Sequence, residues 1–216
     1  MRLFFSLALL IGLGSGCAVN PTKVQANLAG RSVGISVCLK DQLSNQWIGT
    51  TIFNNSAKEQ PVPGLGLTEA AKLASQEYFQ LTDSKVTILA DCLDWKTAPR
   101  PPLGTPVLLT FHEGYVPDQI GGTNRGQSGI GVFQRSLLGV KPFGRTHAVL
   151  EAKLADTFSG KQLGKTDCFV LGSSILLDDS VLLSTEALAQ NSAQFRELTK
   201  FSVRRCLIDL GFETAN

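Results

Sequence analysis

The segment from Ala148 to Leu171 sets the strongest limit on the fold, because it reads as one antiparallel strand pair around which the rest must be built. Ala148, Leu150, Ala152 and Leu154 alternate with Val149, Glu151 and Lys153, the period of two that gives a strand one buried face. Asp156-Thr157-Phe158-Ser159-Gly160-Lys161 supplies the turn, and Gln162 to Leu171 returns as the partner strand.

Upstream, Ser32 to Leu39 alternates with Val33, Ile35 and Val37 on one side and predicts a strand. Trp47 to Phe53 is β-branched and aromatic, a short strand or an ordered loop, and residues 54–66 read as loop. Leu67, Ala70, Ala71, Ala74 and Tyr78 fall on one narrow stripe of a helix from about Leu67 to Leu81, suited to packing on a sheet. Lys85 to Cys92 and Pro106 to Glu113 predict two more strands, separated by a proline-rich connection from Thr97 to Gly104. Residues 114–145 carry eight glycines and a formal charge of +3, and are expected to be a long functional or mobile connection. The final element is a helix from about Ser184 to Leu210, with Ser184 as its cap, Glu186 in its first turn and Gly211 as its stop. Leu188, Phe195, Leu198, Cys206 and Leu210 share its inward face. The expected fold class is α+β: a single mixed or antiparallel sheet of four to five strands with two helices packed on one face.

The amino terminus is set apart from this body. Arg2 is followed by an apolar stretch from Leu3 to Leu13. Eleven helical residues rise about 16 Å, roughly half a bilayer core, which suits the hydrophobic region of a signal peptide and not a spanning helix. Leu13-Gly14-Ser15-Gly16-Cys17 then resembles the lipobox of bacterial lipoproteins, although Leu13 stands one place further from the cysteine than is usual. The resemblance implies cleavage after residue 16, acylation of Cys17 with palmitate among the chains, and firm anchoring by several chains together. Ala18, where an aspartate would imply retention in the inner membrane, favours the outer membrane of a Gram-negative cell, with the body in the periplasm. The implied organisation is a signal peptide (1–16), a lipidated tether (17–30) and one periplasmic α+β domain (31–216) with a glycine-rich insertion at 114–145.

Beyond residue 16 the chain has 200 residues and a formal charge of +1, since Arg2 is the only charged residue before that point. One domain fits that length. The near-neutral balance, with no run of five like charges, argues against nucleic acid as a partner. Four body cysteines remain: Cys38, Cys92, Cys168 and Cys206. In an oxidising periplasm they read as two disulfides with three possible connectivities. Free thiols and a zinc site are the alternatives, although no two of these cysteines are close in sequence and no histidine is well placed for zinc. Cys38 and Cys92 each sit near the end of a predicted strand, which favours that pair and leaves Cys168 and Cys206 to tie a strand to the last helix.

The order of elements behind the lipobox, together with the hairpin from Ala148 to Lys165 and its strand, D-x-x-x-G, strand rhythm, resembles the anticodon-binding-domain-like fold of envelope lipoproteins. That group includes the curli secretion lipoprotein, the lipoprotein activators of penicillin-binding proteins and the amino-terminal domain of TolB. The resemblance spans roughly residues 31–212 and implies a fold and an envelope setting. It transfers no site residue.

Reactive constellations are sparse. His112 and His147 are the two histidines, and Glu113 beside His112 faces the opposite side of a strand, so neither is expected to be catalytic. Ser173-Ser174 lacks the glycine frame of a nucleophile elbow. Gly64-Leu65-Gly66 reads as a loop-to-helix joint and not a phosphate turn, and Asp178-Asp179 as a solvated turn and not a calcium site. Trp47 and Trp95 read as core or rim packing. No catalytic, metal or cofactor residue is expected, and the chain is not expected to be an enzyme.

The functional expectation is therefore a membrane-anchored adaptor or assembly factor for an envelope protein complex, held to the membrane by its lipid. An oligomeric structural subunit of a secretion or channel assembly is the alternative, although Arg125, Arg135, Lys141 and Pro142 interrupt any membrane strand in the glycine-rich segment. A module in which that basic segment meets cell wall or anionic lipid is a further one. Homo-oligomers are compatible with either.

Overall fold

A computed structural model describes residues 31–49, 55–80, 85–93, 105–117, 126–137, 140–175 and 182–212. Within them the chain runs β1 (Val33–Cys38), β2 (Gln42–Ile48), β3 (Ser56–Pro61), α1 (Leu67–Gln80), β4 (Val86–Ile88), β5 (Val107–Glu113), β6 (Tyr115–Val116), β7 (Gln127–Ser128), β8 (Ile130–Leu137), β9 (Val140–Asp156), β10 (Gln162–Ile175), α2 (Thr185–Gln190) and α3 (Ser192–Asp209).

The expected α+β class holds, but the sheet is larger than four to five strands. Eight strands form one mixed sheet curled into a half-barrel, in the order β3-β2-β8-β9-β5-β1-β4, with β10 also on β9. β6 and β7 form a separate two-stranded ribbon. β1 is parallel to β4 and β5, β2 is parallel to β8, and every pair involving β9 is antiparallel.

The seventeen-residue β9 joins the two halves. One of its edges is shared: β8 pairs with it as far as Ala148, and β5 takes over from Leu150. Val149 sits at the fork. Its N–H donates to the Gly129 carbonyl at 2.8 Å, its carbonyl accepts from Gly114 N–H at 2.9 Å, and Gly129 N–H donates to the Gly114 carbonyl at 3.0 Å. The site demands glycine twice over: Gly129 has φ +56°, and a Cβ on Gly114 would lie 2.8 Å from the Leu150 carbonyl carbon. The other edge of β9 pairs with β10 along its length, with irregularities between Gln162 and Gly164 and between Leu171 and Ser174.

One face of the sheet carries the core. Val33, Ile35 and Val37 of β1, Val107, Leu109 and Phe111 of β5, and Leu150, Ala152 and Leu154 of β9 meet Ala71, Ala74 and Tyr78 of α1 and Phe195, Leu198, Val203 and Leu207 of α3. Full burial of each large side chain here contributes roughly 1.5–3 kcal/mol. The small Ala71 and Ala74, both fully buried, let α1 lie close against α3. The Tyr78 hydroxyl donates to the Phe212 carbonyl at 2.5 Å and locks the carboxyl-terminal turn to α1.

Several sequence expectations need correction. The expected helix from Ser184 to Leu210 is two helices that break at Asn191, so the described residues hold three helices and not two. Ser184 does cap the first of them, accepting from Ala187 N–H at 3.2 Å. The supposed loop 54–66 contains β3, and the expected connection 114–145 contains β6, β7, β8 and the start of β9. Of the segment Trp47 to Phe53, expected as a short strand or an ordered loop, Trp47 and Ile48 end β2 and residues 50–53 lie outside the described residues, while the strand expected at Lys85 to Cys92 is only the three residues of β4.

Candidate functional site

The four body cysteines form two disulfides, Cys38–Cys92 and Cys168–Cys206. The first ties the end of β1 to the chain after β4. There the Ser36 hydroxyl accepts from Leu93 N–H at 2.7 Å and holds the same turn. The second is buried and pins α3 to β10. Cys17, Trp95 and Asp178-Asp179 lie outside the described residues.

His112 and Glu113 face opposite sides of β5, as alternation requires. His112 stands beside Cys38 in the pairing of β5 with β1, while Glu113 accepts from Lys40 N–H and from Gln42, each at 3.4 Å. Gly64 and Gly66 adopt positive φ of 75° and 70° and turn the chain into α1. The first helical N–H, of Leu67, donates to the Asp41 carboxylate at 3.1 Å, so this joint is closed by the protein's own anion. Ser173 offers its carbonyl to Thr146 and Gln194 and belongs to the strand framework.

The sheet face away from the helices carries charge. Glu151 on β9 bridges Lys153 on its own strand and Lys165 on β10, and Asp167 lies 3.9 Å from Lys165. Burial alone would raise the Glu151 carboxyl, but the two ammonium groups outweigh it and hold the pKa below the usual value. Asp167 is pushed up by burial, only partly countered by Lys165, while the bond to Glu151 raises Lys165. Further along β9, His147 is fully buried beneath the β6–β7 ribbon, its Nε2 3.4 Å from the Ser128 carbonyl. Desolvation lowers its pKa to about 4, so the ring is neutral at ordinary pH. Its Nδ1 meets no hydrogen-bond partner among the described residues.

An open groove of about 810 Å³ lies where α3 overhangs β10. Gly172 leaves its floor low, with Thr146 and Leu198 filling the space beside it. Leu171, Phe201 and Ile208 line it and remain 39%, 57% and 55% exposed. Its charged groups are already paired, Arg204 with Glu77, Arg205 with Asp209 and Glu197 with Lys200. Chemically the groove consists of apolar side chains framed by ion pairs, and acids, bases and nucleophiles do not converge among its lining residues. Among the described residues no three His, Cys, Asp or Glu side chains are grouped as a metal site. Sequence reasoning passed over this stripe because it followed the buried face of the last helix. The signal was present: Gln194, Phe201 and Ile208 recur every seven residues on the opposite flank.

No family model matches the chain, and no curated protein matches it. Among solved structures, a crystal structure of a Xanthomonas campestris protein of the DUF330 family is similar at 12% identity and a TM-score of 0.38, covering 84% of this chain and 85% of that one.

Proposed function

We propose that the chain is an envelope lipoprotein, anchored through acylated Cys17 to the periplasmic side of the outer membrane of a Gram-negative cell, whose body acts as a non-catalytic adaptor or assembly factor for other envelope proteins. The observation that carries this reading is the cysteine usage. Cys38, Cys92, Cys168 and Cys206 are all spent on disulfides, which supports an oxidising compartment, and Cys17 is left behind an apolar run as the thiol for lipid. An apolar groove beside an open strand edge supports a body whose business is protein contact.

Metabolic labelling with a palmitate analogue in cells tests the anchor, and crosslinking in the same cells tests the adaptor role. Wild-type chain takes up label and stays with outer membranes, whereas Cys17→Ser takes up none and is released with the soluble periplasm. Crosslinking of the wild type captures another envelope protein. Absence of label in the wild type refutes the anchor, and absence of any envelope partner refutes the adaptor role.

A further inference from the structure

Three edges of the main sheet are open among the described residues, and they are not alike. β3 is six residues long and ends in Pro61, and β4 is three residues long, both of which discourage pairing with another chain. β10 is fourteen residues long and free of proline. Val149 turns its backbone groups toward the fork, so Phe169, its cross-strand partner on β10, turns its own toward the outer edge. Lys165, Asp167 and Leu171 follow the same alternation.

α3 runs antiparallel to this edge and in step with it. Gln194 donates to the Ser173 carbonyl at 3.5 Å, Leu198 lies against Gly172, and Ser202 donates to the Cys168 carbonyl at 3.5 Å. Phe201 is therefore level with Phe169. The flank of α3 away from α1 presents Gln194, Phe201 and Ile208 in a row, with Glu197 four residues before Phe201 and Arg205 four residues after it. An acid and a base placed symmetrically about an exposed aromatic make this stripe complementary to its own antiparallel copy.

We propose that this flank is a self-association surface. Two copies join antiparallel, β10 edge to β10 edge and α3 beside α3, about a twofold axis passing near Phe201 and Phe169. The two phenyl rings of Phe201 meet at the axis, Glu197 faces Arg205 of the partner subunit twice over, and Ile208 covers Gln194 of the partner subunit. Such an isologous contact continues the sheet across the axis and closes after two copies. The ion pairs that Glu197 and Arg205 make within their own helix are exposed and weak, so they exchange readily for pairs across the axis. The inference stands on the edge and the helix stripe, and does not depend on how the chain is anchored.

Sedimentation equilibrium of the full chain in non-ionic detergent, from about 1 to about 100 μM, tests it. The wild type sediments as a dimer. Phe201→Asp weakens association by at least about thirtyfold, the scale of a central aromatic contact. Glu197→Arg and Arg205→Glu each weaken it, and the two together restore it to within about threefold of wild type. Phe158→Asp, at the 84% exposed tip of the β9–β10 turn, leaves it unchanged. A monomer throughout, a larger assembly, or a dimer indifferent to Phe201→Asp and to both single charge reversals overturns the proposal. So does failure of the double reversal to restore association.

Discussion

Gly131 faces Ser44 across the parallel β8–β2 pair so closely that a Cβ at residue 131 would lie 1.9 Å from the Ser44 carbonyl oxygen. Backbone, not a flexible side-chain tip, occupies that space, so Gly131→Ala must force the two strands apart. A loss of about 3 kcal/mol is expected. Gly160 has φ +67° but nothing within 4 Å of its would-be Cβ, and Gly160→Ala isolates the conformational cost at about 1 kcal/mol. Urea unfolding midpoints of the two variants check the ranking, and equal losses would contradict it.

The two disulfides differ in access. Cys92 is exposed, whereas Cys168 and Cys206 are buried beneath α3. Mild reduction followed by alkylation and mass spectrometry is expected to label Cys38 and Cys92 first, with Cys168 and Cys206 protected until the chain unfolds. The inner pair closes 38 residues of chain, so Cys206→Ala is expected to cost roughly 4 kcal/mol by loop entropy. Thermal unfolding with and without reductant measures it.

His147 makes stability depend on pH in a defined window. Its folded pKa is lowered to about 4, while in the unfolded chain it returns to about 6.5. As pH falls below 6.5 the unfolded chain takes up a proton that the folded chain refuses until about pH 4. Stability is therefore fully present above that range and declines through it by roughly 3 kcal/mol in total. The histidine contribution is flat below pH 4. His147→Gln removes this slope, and urea unfolding between pH 7 and 4 shows whether it does.

Glu151 is the shared anion between Lys153 and Lys165, which stand directly opposite each other on β9 and β10. Glu151→Gln leaves two ammonium groups face to face and is expected to cost about 1 kcal/mol or slightly more. Asp167→Asn is expected to be near neutral, because burial already disfavours that carboxylate. Unfolding midpoints at neutral pH separate the two.

What the sequence disclosed follows from how strongly burial imposes a period. The apolar spacing of α1, β1 and β5 marks them within a residue or two, and that of the β9–β10 hairpin marks its turn, although β9 begins eight residues before Ala148 and β10 ends four residues after Leu171. β2 and β3 were misplaced or missed because Ser44, Asn45, Gln46 and Gln60 are buried polar residues, satisfied in part by bonds such as Asn45 to the Leu183 carbonyl. Period-two hydrophobicity has nothing to read there. β8 was hidden by Gly131 and Gly129, whose role is close backbone approach and a turn, properties of a neighbour that local sequence does not reveal. Asn191 broke the last helix without proline or glycine to announce it. The candidate site was legible only in part: the disulfide partners could be inferred from strand ends, while the groove needed α3 and β10 laid side by side.

The clamp that Gly114 and Gly129 place on Val149 has a consequence for how the domain comes apart. Both halves of the sheet are stitched to one residue whose amide hydrogen is held at the fork. The fork couples the two halves, so the described sheet is expected to open as one foldon and not half by half. The exchange rate of the Val149 amide proton with deuterated solvent then reports the global unfolding free energy directly.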